Sequence, residues 1–135
     1  MKELHNEGKY IAIVSNQNGV QSNQTTLADI QKKVNNILAH IESVEPGVPI
    51  DFICATDDDQ FRKPRTGMLE FLVLARCPNA MRDSSLFVGD AAGREKEGIR
   101  PKDFSDSDLK VALNLGIKVC TFNAAFSVVL VVMDC

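Results

Sequence analysis

The fold of this chain is decided by Arg62-Lys63-Pro64-Arg65-Thr66-Gly67-Met68, a polar turn between an apolar run and a helix-like run. Two further stretches have the same character: Ile13-Val14-Ser15-Asn16-Gln17-Asn18-Gly19 and Phe87-Val88-Gly89-Asp90-Ala91-Ala92-Gly93-Arg94. Each lies where an apolar, β-branched run stops, which is where an open parallel sheet gathers its ligand-binding groups. Taken in chain order, these three stretches supply a hydroxyl, a lysine and a carboxylate. Hydroxyl and ammonium groups hold phosphate oxygens, and Mg²⁺ prefers carboxylate oxygen, so the sequence predicts a magnesium-assisted phosphoryl site.

Strand-like and helix-like segments alternate around these stretches. Apolar runs predict strands at residues 9–14, 50–55, 85–88 and 117–122. Periodic apolar residues predict helices at residues 26–43, 66–75 and 105–115. Thr26 is expected to cap the first helix, Thr66 the second, and Ser105 or Ser107 the third, which Gly116 should end. Strand-helix-strand spacing implies right-handed parallel crossovers, so we expect an α/β fold.

The composition is that of one ordinary globular domain, with 135 residues, 44% hydrophobic and 24% charged. A net charge of −3 argues against a broad nucleic-acid-binding surface, although short basic clusters occur at residues 62–65 and 94–102. No run reaches the roughly 18 apolar residues of a membrane span. Residues 1–10 lack the pattern of a signal or transit peptide. We therefore expect an intracellular protein that is not secreted and has no membrane partner.

The four cysteines, Cys54, Cys77, Cys120 and Cys135, are scattered without a C-x-x-C pair. This spacing argues against a zinc site and against a disulfide framework, and it favours a reducing compartment.

Four motifs resemble the phosphatase domain of the polynucleotide kinase 3'-phosphatases, within the haloacid dehalogenase-like superfamily. They are Ser15-Asn16-Gln17, Arg62-Lys63-Pro64-x-Thr66-Gly67-Met68, the stretch at residues 87–94, and Asp103-Phe104-Ser105-x-x-Asp108. The resemblance runs over residues 10–122. It identifies residues 1–122 as a partial 3'-phosphatase domain and residues 123–135 as a divergent apolar tail. It implies a Rossmann-like three-layer α/β sandwich with a parallel sheet, incomplete at its N-terminus.

The resemblance also implies a role for each matching residue. Ser15 and the next backbone N–H would hold a phosphoryl oxygen. Lys63 would neutralise the phosphoryl group and the attacking carboxylate, and Asp90 would bind Mg²⁺. Each has a plainer explanation as well: a strand-end hydroxyl, a surface lysine and an aspartate that caps a turn.

The remaining implied residues contact the substrate or support the metal. The substrate-binding set is Asn16, Arg62 and Arg94, with the two arginines on phosphates of the DNA strand. The supporting pair is Asp103 and Asp108. Arginines beside an acidic site also serve as ion-pair partners, and aspartates at a helix N-terminus need no further role.

Two features of the family do not occur at their expected places in this sequence. No G-x-x-x-x-G-K-[ST] motif is present, so the kinase half of the fused members is not in this chain. The superfamily's Asp-x-Asp-x-Thr motif should precede Tyr10 and does not. Its first aspartate is the nucleophile and its second the general acid and base. Without them the site is expected to bind a phosphate ester but not to hydrolyse it.

The missing motif lies on a strand that the superfamily places in the middle of the sheet. The tail at residues 127–133 is apolar and β-branched, as a central parallel strand is. One hypothesis is that the tail fills the vacant position and brings Asp134 near the catalytic position.

The function implied by the resemblance is a DNA-end repair phosphatase, here a fragment without its nucleophile. In the family, Mg²⁺-dependent attack by aspartate removes the 3'-phosphate of a broken DNA strand. The expected partners are DNA with 3'-phosphate ends and, secondarily, DNA repair proteins. The expected location is the nucleus, with mitochondria as an alternative. Two other functions are a small-molecule phosphatase of the same superfamily and a non-catalytic remnant that binds DNA ends or repair proteins.

Overall fold

The structure is a computed structural model that describes residues 1–98, 101–121 and 129–135. Within these ranges the strands are β1 (Lys9–Asn16), β2 (Ile50–Ala55), β3 (Leu86–Gly89), β4 (Lys118–Thr121) and β5 (Leu130–Asp134). The helices are α1 (Lys2–Asn6), α2 (Leu27–Val44), α3 (Gly67–Arg76) and α4 (Ser107–Leu115), with a short 3-10 helix at Arg82–Ser84. The predicted α/β class and every predicted strand and helix are present, although Phe122 and residues 123–128 of the predicted tail lie outside the described residues.

The described strands form one mixed sheet in the order β2-β1-β5-β3-β4. β1 is parallel to β2 and β3 is parallel to β4, whereas β5 is antiparallel to both of its neighbours. The expectation of a parallel sheet is therefore wrong for the central strand. Only residues 122–129 connect β4 to β5. A crossover to a parallel strand needs about a dozen residues or more, so this short connection favours the antiparallel direction of β5.

The direction of β5 corrects the hypothesis about the tail. β5 lies between β1 and β3, as that hypothesis proposed, and its buried Val131 and Met133 belong to the core together with Val129, which precedes the strand. Asp134, however, pairs with Lys9 at the opposite edge of the sheet, at an Nζ–Oδ2 distance of 2.8 Å. The residue that β5 brings to the carboxyl edge of β1 is Val129, whose carbonyl accepts a hydrogen bond from Val14.

The caps of the helices follow the predictions in part. Thr26 and Asp29 form a reciprocal capping box at the start of α2, and Gly116 ends α4 with a φ of +67°. Thr66 makes no side-chain cap on α3, because its hydroxyl donates to Glu70 instead. The prediction that Ser105 or Ser107 caps α4 is wrong, because Asp106 is the N-cap and makes no side-chain capping bond; the Ser105 hydroxyl only accepts a hydrogen bond from the Ser107 backbone.

The prediction that the cysteines form no disulfide is wrong. Cys77, directly after α3, is bonded to Cys135, directly after β5, with a Cα–Cα distance of 5.1 Å. The two cysteines are 58 residues apart in the sequence, so no local pattern predicts that they pair. The fold of the sheet brings them together. Cys54 and Cys120 are free thiols. None of the helices in the described ranges is long and apolar enough to span a membrane.

Candidate functional site

A polar cavity of about 530 Å³ lies at the carboxyl edge of β1 and β3. It is lined by Ser15, Asn16, Asn18, Arg62, Lys63, Pro64, Asp90, Ala91, Phe104, Ser105, Asp106, Ser107, Asp108, Lys110 and Val129. Six of the eight residues that the sequence assigned to the site are among them. Arg94 and Asp103 lie beside the cavity rather than in its lining.

Lys63 and Asp108 form a buried ion pair within this cavity. The Lys63 ammonium lies 2.7 Å from Oδ1 of Asp108, and the two side chains are 5% and 2% exposed. The ammonium also donates to the Val14 carbonyl at 3.4 Å and lies 5.9 Å from the centre of the Phe87 ring. Burial lowers the pKa of Lys63 from its ordinary value, and the nearby carboxylates of Asp108 and Asp90 oppose that shift. The site thus holds a dehydrated cation in a fixed place.

Asp108 reaches Lys63 because the end of β3 leaves room for it. Its Oδ2 accepts a hydrogen bond from the Ala91 backbone at 3.0 Å. A Cβ at Gly89 would lie 2.5 Å from Oδ2 and 2.8 Å from the Cβ of Asp108, so only glycine fits there. Gly89 at the end of β3 therefore leaves the space in which Asp108 of α4 packs. Asp108, assigned from the sequence to support the metal site, is the direct partner of Lys63.

Asn16, predicted to bind substrate, contacts the main chain of Lys63. Its Nδ2 donates to the Lys63 carbonyl, and its Oδ1 accepts from the Lys63 N–H, each at 3.0 Å. Both ends of this amide are thus engaged by a single residue of the turn.

Ser15 is 8% exposed and faces the cavity at the end of β1. Its Oγ accepts a hydrogen bond from Nε2 of Gln17 at 2.7 Å, and the Gln17 N–H donates to the Ala55 carbonyl. A hydroxyl that accepts from an amide keeps its own proton for another acceptor. Gln17 is a site residue that the sequence reasoning left without a role. The one feature of the sequence that could have indicated a role for Gln17 is its position in the Ser15-Asn16-Gln17 motif.

Arg62 contributes a polar group that has no partner among the described residues. Its Nη1 is buried and makes no hydrogen bond to any described residue. A buried guanidinium N–H normally has an acceptor, and an anionic oxygen in this cavity would supply one.

Asp90 follows β3 directly and lines the cavity near Lys63. Among the described residues no group of three or more His, Cys, Asp or Glu side chains could hold a metal. Mg²⁺ does not require one, because it commonly binds one or two carboxylates, several waters and the phosphate of a substrate. The donors present at this site therefore fit Mg²⁺ bound together with a phosphate.

Arg94 and Asp103 form a second ion pair that shapes the loop after Asp90. Arg94 contacts both carboxylate oxygens of Asp103, at 2.8 and 3.1 Å, and the backbones of Ala92 and Arg94 donate to the same group. The Arg94 guanidinium and these N–H groups lower the pKa of Asp103 to about 2. Arg94 also donates to the Asp90 carbonyl at 3.2 Å. Its contacts thus hold the Asp90 loop, and contact of Arg94 with a DNA phosphate stays a prediction.

Comparison with known proteins gives matches over most of the chain. A family model described as polynucleotide kinase 3 phosphatase matches residues 1–126. An uncharacterized 20.8 kDa protein in the FGF-VUBI intergenic region of Autographa californica nuclear polyhedrosis virus is 34% identical over 90% of this chain and 63% of its own length. The bifunctional polynucleotide phosphatase/kinase of Schizosaccharomyces pombe is 35% identical over 87% of this chain and 26% of its own. The polynucleotide 3'-phosphatase ZDP of Arabidopsis thaliana is 28% identical over 90% and 18%. The chain spans less than two thirds of each of these relatives.

Proposed function

The chain belongs to the polynucleotide kinase 3'-phosphatase family, and from this premise we propose that its polar cavity receives the 3'-phosphate of a broken DNA strand. The observation that carries the proposal is the buried Lys63 ammonium, which shares one cavity with the Ser15 hydroxyl and with Arg62, whose Nη1 has no partner among the described residues. Three donors of these kinds around one cavity suit a phosphate group with several anionic oxygens. We propose for the whole domain the haloacid dehalogenase-like fold of that family.

Each cavity residue has a distinct task in this proposal. The Lys63 ammonium neutralises a phosphate oxygen, and the Ser15 hydroxyl donates its remaining proton to another. Arg62 donates its buried N–H to a third oxygen. Asp90 holds Mg²⁺, which when bound neutralises phosphate charge and polarises the phosphorus–oxygen bonds.

Hydrolysis is the activity that we propose for a family member with the complete reacting set. The family's nucleophile lies in an Asp-x-Asp-x-Thr motif that this sequence does not have before Tyr10. The described central strand instead brings Val129 to the cavity. A valine side chain can neither attack phosphorus nor move a proton. That observation favours a second candidate function for this chain, binding of the 3'-phosphate without turnover.

The test compares two oligonucleotides of one sequence, one with a 3'-phosphate and one with a 3'-hydroxyl. We expect fluorescence anisotropy to show tighter binding of the phosphorylated strand with Mg²⁺ present. Lys63→Ala should abolish the preference, while Lys118→Ala, an exposed lysine at the opposite edge of the sheet, should retain it. Equal binding of the two strands would refute the proposal.

Two further measurements separate the rival functions. Release of inorganic phosphate from the 3'-phosphorylated strand would show a phosphatase, and binding without release would show a DNA-end binder. Stronger competition by small phosphate esters than by the oligonucleotide would favour a small-molecule phosphatase. Because the substrate is broken DNA, we propose the nucleus as the site of action. Binding to repair proteins stays a prediction.

A further inference from the structure

We propose that Asn16 is a positioning residue that fixes the main chain of Lys63 and thereby sets where the Lys63 ammonium meets the phosphate. The inference rests on the phosphate-binding function proposed for the cavity. It departs from the sequence-based assignment of Asn16 to the substrate.

The first step is the geometry of the Asn16 amide. Donor and acceptor of the side chain bond the carbonyl and the N–H of one residue, Lys63, at 3.0 Å each. This paired arrangement fixes both the position and the orientation of that residue's main chain, which a single bond would not do. The donors needed for a phosphate come from the neighbouring side chains instead.

The second step is the rigidity of the strand that carries Asn16. β1 is buried along its middle, with Ile11 to Val14 no more than 1% exposed, and it pairs with β2 on one side and β5 on the other. The turn at residues 56–66 belongs to no strand, and next to Lys63 its main chain is tied to α4 by Asn114, whose Nδ2 donates to the Pro64 carbonyl at 3.0 Å. Asn16 therefore ties the main chain of Lys63 to the sheet, whereas the neighbouring Pro64 is tied to α4.

The third step is the length of the lysine side chain. Four methylene groups separate the Lys63 main chain from its ammonium, so the ammonium has a defined place only if both ends are held. Asp108 holds the ammonium from α4, and Asn16 holds the main chain from β1. Loss of either contact would leave the charge in the cavity but let its distance to the phosphate vary, which weakens binding.

A double-mutant cycle distinguishes positioning from direct contact with phosphate. The probes are inorganic phosphate and the 3'-phosphorylated oligonucleotide, and the variants are Asn16→Ala, Lys63→Ala and both together. We expect about tenfold weaker phosphate binding for Asn16→Ala, about 100-fold for Lys63→Ala and still about 100-fold for the double variant, because Asn16 acts only through Lys63. Asn36→Ala, an exposed change on α2, should bind as the unmodified protein does.

The opposite result is a double variant about 1,000-fold weaker. Such multiplied effects would show that Asn16 contacts the phosphate itself, and would overturn the inference while the proposed function stood. If the unmodified protein binds neither probe, the proposed function fails and this inference fails with it.

A measurement without ligand guards against loss of the fold. Hydrogen exchange at the Lys63 amide should be faster in Asn16→Ala, with no change at the Val14 amide, which bonds Val129. If Asn16→Ala does not fold, Asn16→Leu serves, because it removes both the donor to the Lys63 carbonyl and the acceptor for the Lys63 N–H while keeping a side chain of similar size. Unchanged exchange at Lys63 in the folded variant would overturn the inference.

Discussion

The ammonium of Lys63 lies 2.7 Å from Oδ1 of Asp108, and both side chains are almost completely buried. Removing two charges from water costs several kcal/mol for each ion, and only their mutual attraction and further hydrogen bonds offset that cost. The pair joins the turn after β2 to the first turn of α4, across 45 residues of sequence. The stability of the domain and the charge of its cavity therefore depend on one contact.

Asp108→Asn should destabilise the protein by about 3 kcal/mol, because it leaves the Lys63 ammonium buried without its counter-charge. The pKa of Lys63, already lowered by burial, should fall further once the opposing carboxylate is gone. Urea unfolding measures the loss of stability. Asp106→Asn is the matched control, since Asp106 is half-exposed and pairs with Lys110 on the surface, where an ion pair contributes under about 1 kcal/mol. Equal losses in the two variants would contradict the importance of the buried pair.

Gly89→Ala should weaken phosphate binding as well as stability. Its new Cβ would meet Asp108 at 2.5 to 2.8 Å and push that side chain away from Lys63. Titration with inorganic phosphate and thermal unfolding measure the two effects. Gly47→Ala is the control, because nothing lies near its Cβ and only its φ of +77° is unfavourable, at about 1 kcal/mol. Normal phosphate affinity in folded Gly89→Ala would show that Asp108 can shift without moving Lys63.

The sequence predicted the parts of this fold that depend on local patterns. The apolar run at residues 9–14 became β1, and Thr26 with Asp29 became a capping box. Ser15, Lys63 and Asp90 share one cavity, because parallel strands bring their carboxyl ends to one edge of a sheet.

The features that the sequence did not predict depend on contacts between distant segments. Asn16 and Asp108 meet Lys63 across 47 and 45 residues, and no local pattern specifies which polar side chain will face another. The direction of β5 was missed because an apolar run reads the same in either direction. The bond between Cys77 and Cys135 follows from that direction, since it places the end of β5 near the end of α3.

The ion pair of Asp103 with Arg94 should make the stability of the protein depend on pH in the acidic range. The folded pKa of Asp103 is about 2, against an ordinary value of 3.8, so the folded carboxylate resists protonation. The contribution of the Asp103 carboxylate to the free energy of unfolding is complete above about pH 4. It is lost as the pH falls through about 2, and we expect this loss to be about 2 kcal/mol. Measured by urea unfolding, the free energy of unfolding should fall less between pH 5 and pH 2 in Asp103→Asn than in the unmodified protein. Asp83→Asn, at an exposed position, should decline as the unmodified protein does, and a parallel decline of all three would refute the assignment.

Reduction of the bond between Cys77 and Cys135 should destabilise the central strand. The bond closes a loop of 58 residues, whose release gives the unfolded chain entropy equivalent to about 4 kcal/mol. Because β5 lies between β1 and β3, its loss would also expose the unpaired inner edges of both strands and promote aggregation.

Cys135→Ser should lower the unfolding midpoint in urea to that of the reduced protein, whereas Cys120→Ser, a change at a free exposed thiol, should leave it unchanged. Thiol titration of the denatured protein should find Cys54 and Cys120 free before reduction and all four cysteines free after it. Identical midpoints with and without reducing agent would show that β5 holds its place by packing and hydrogen bonds alone.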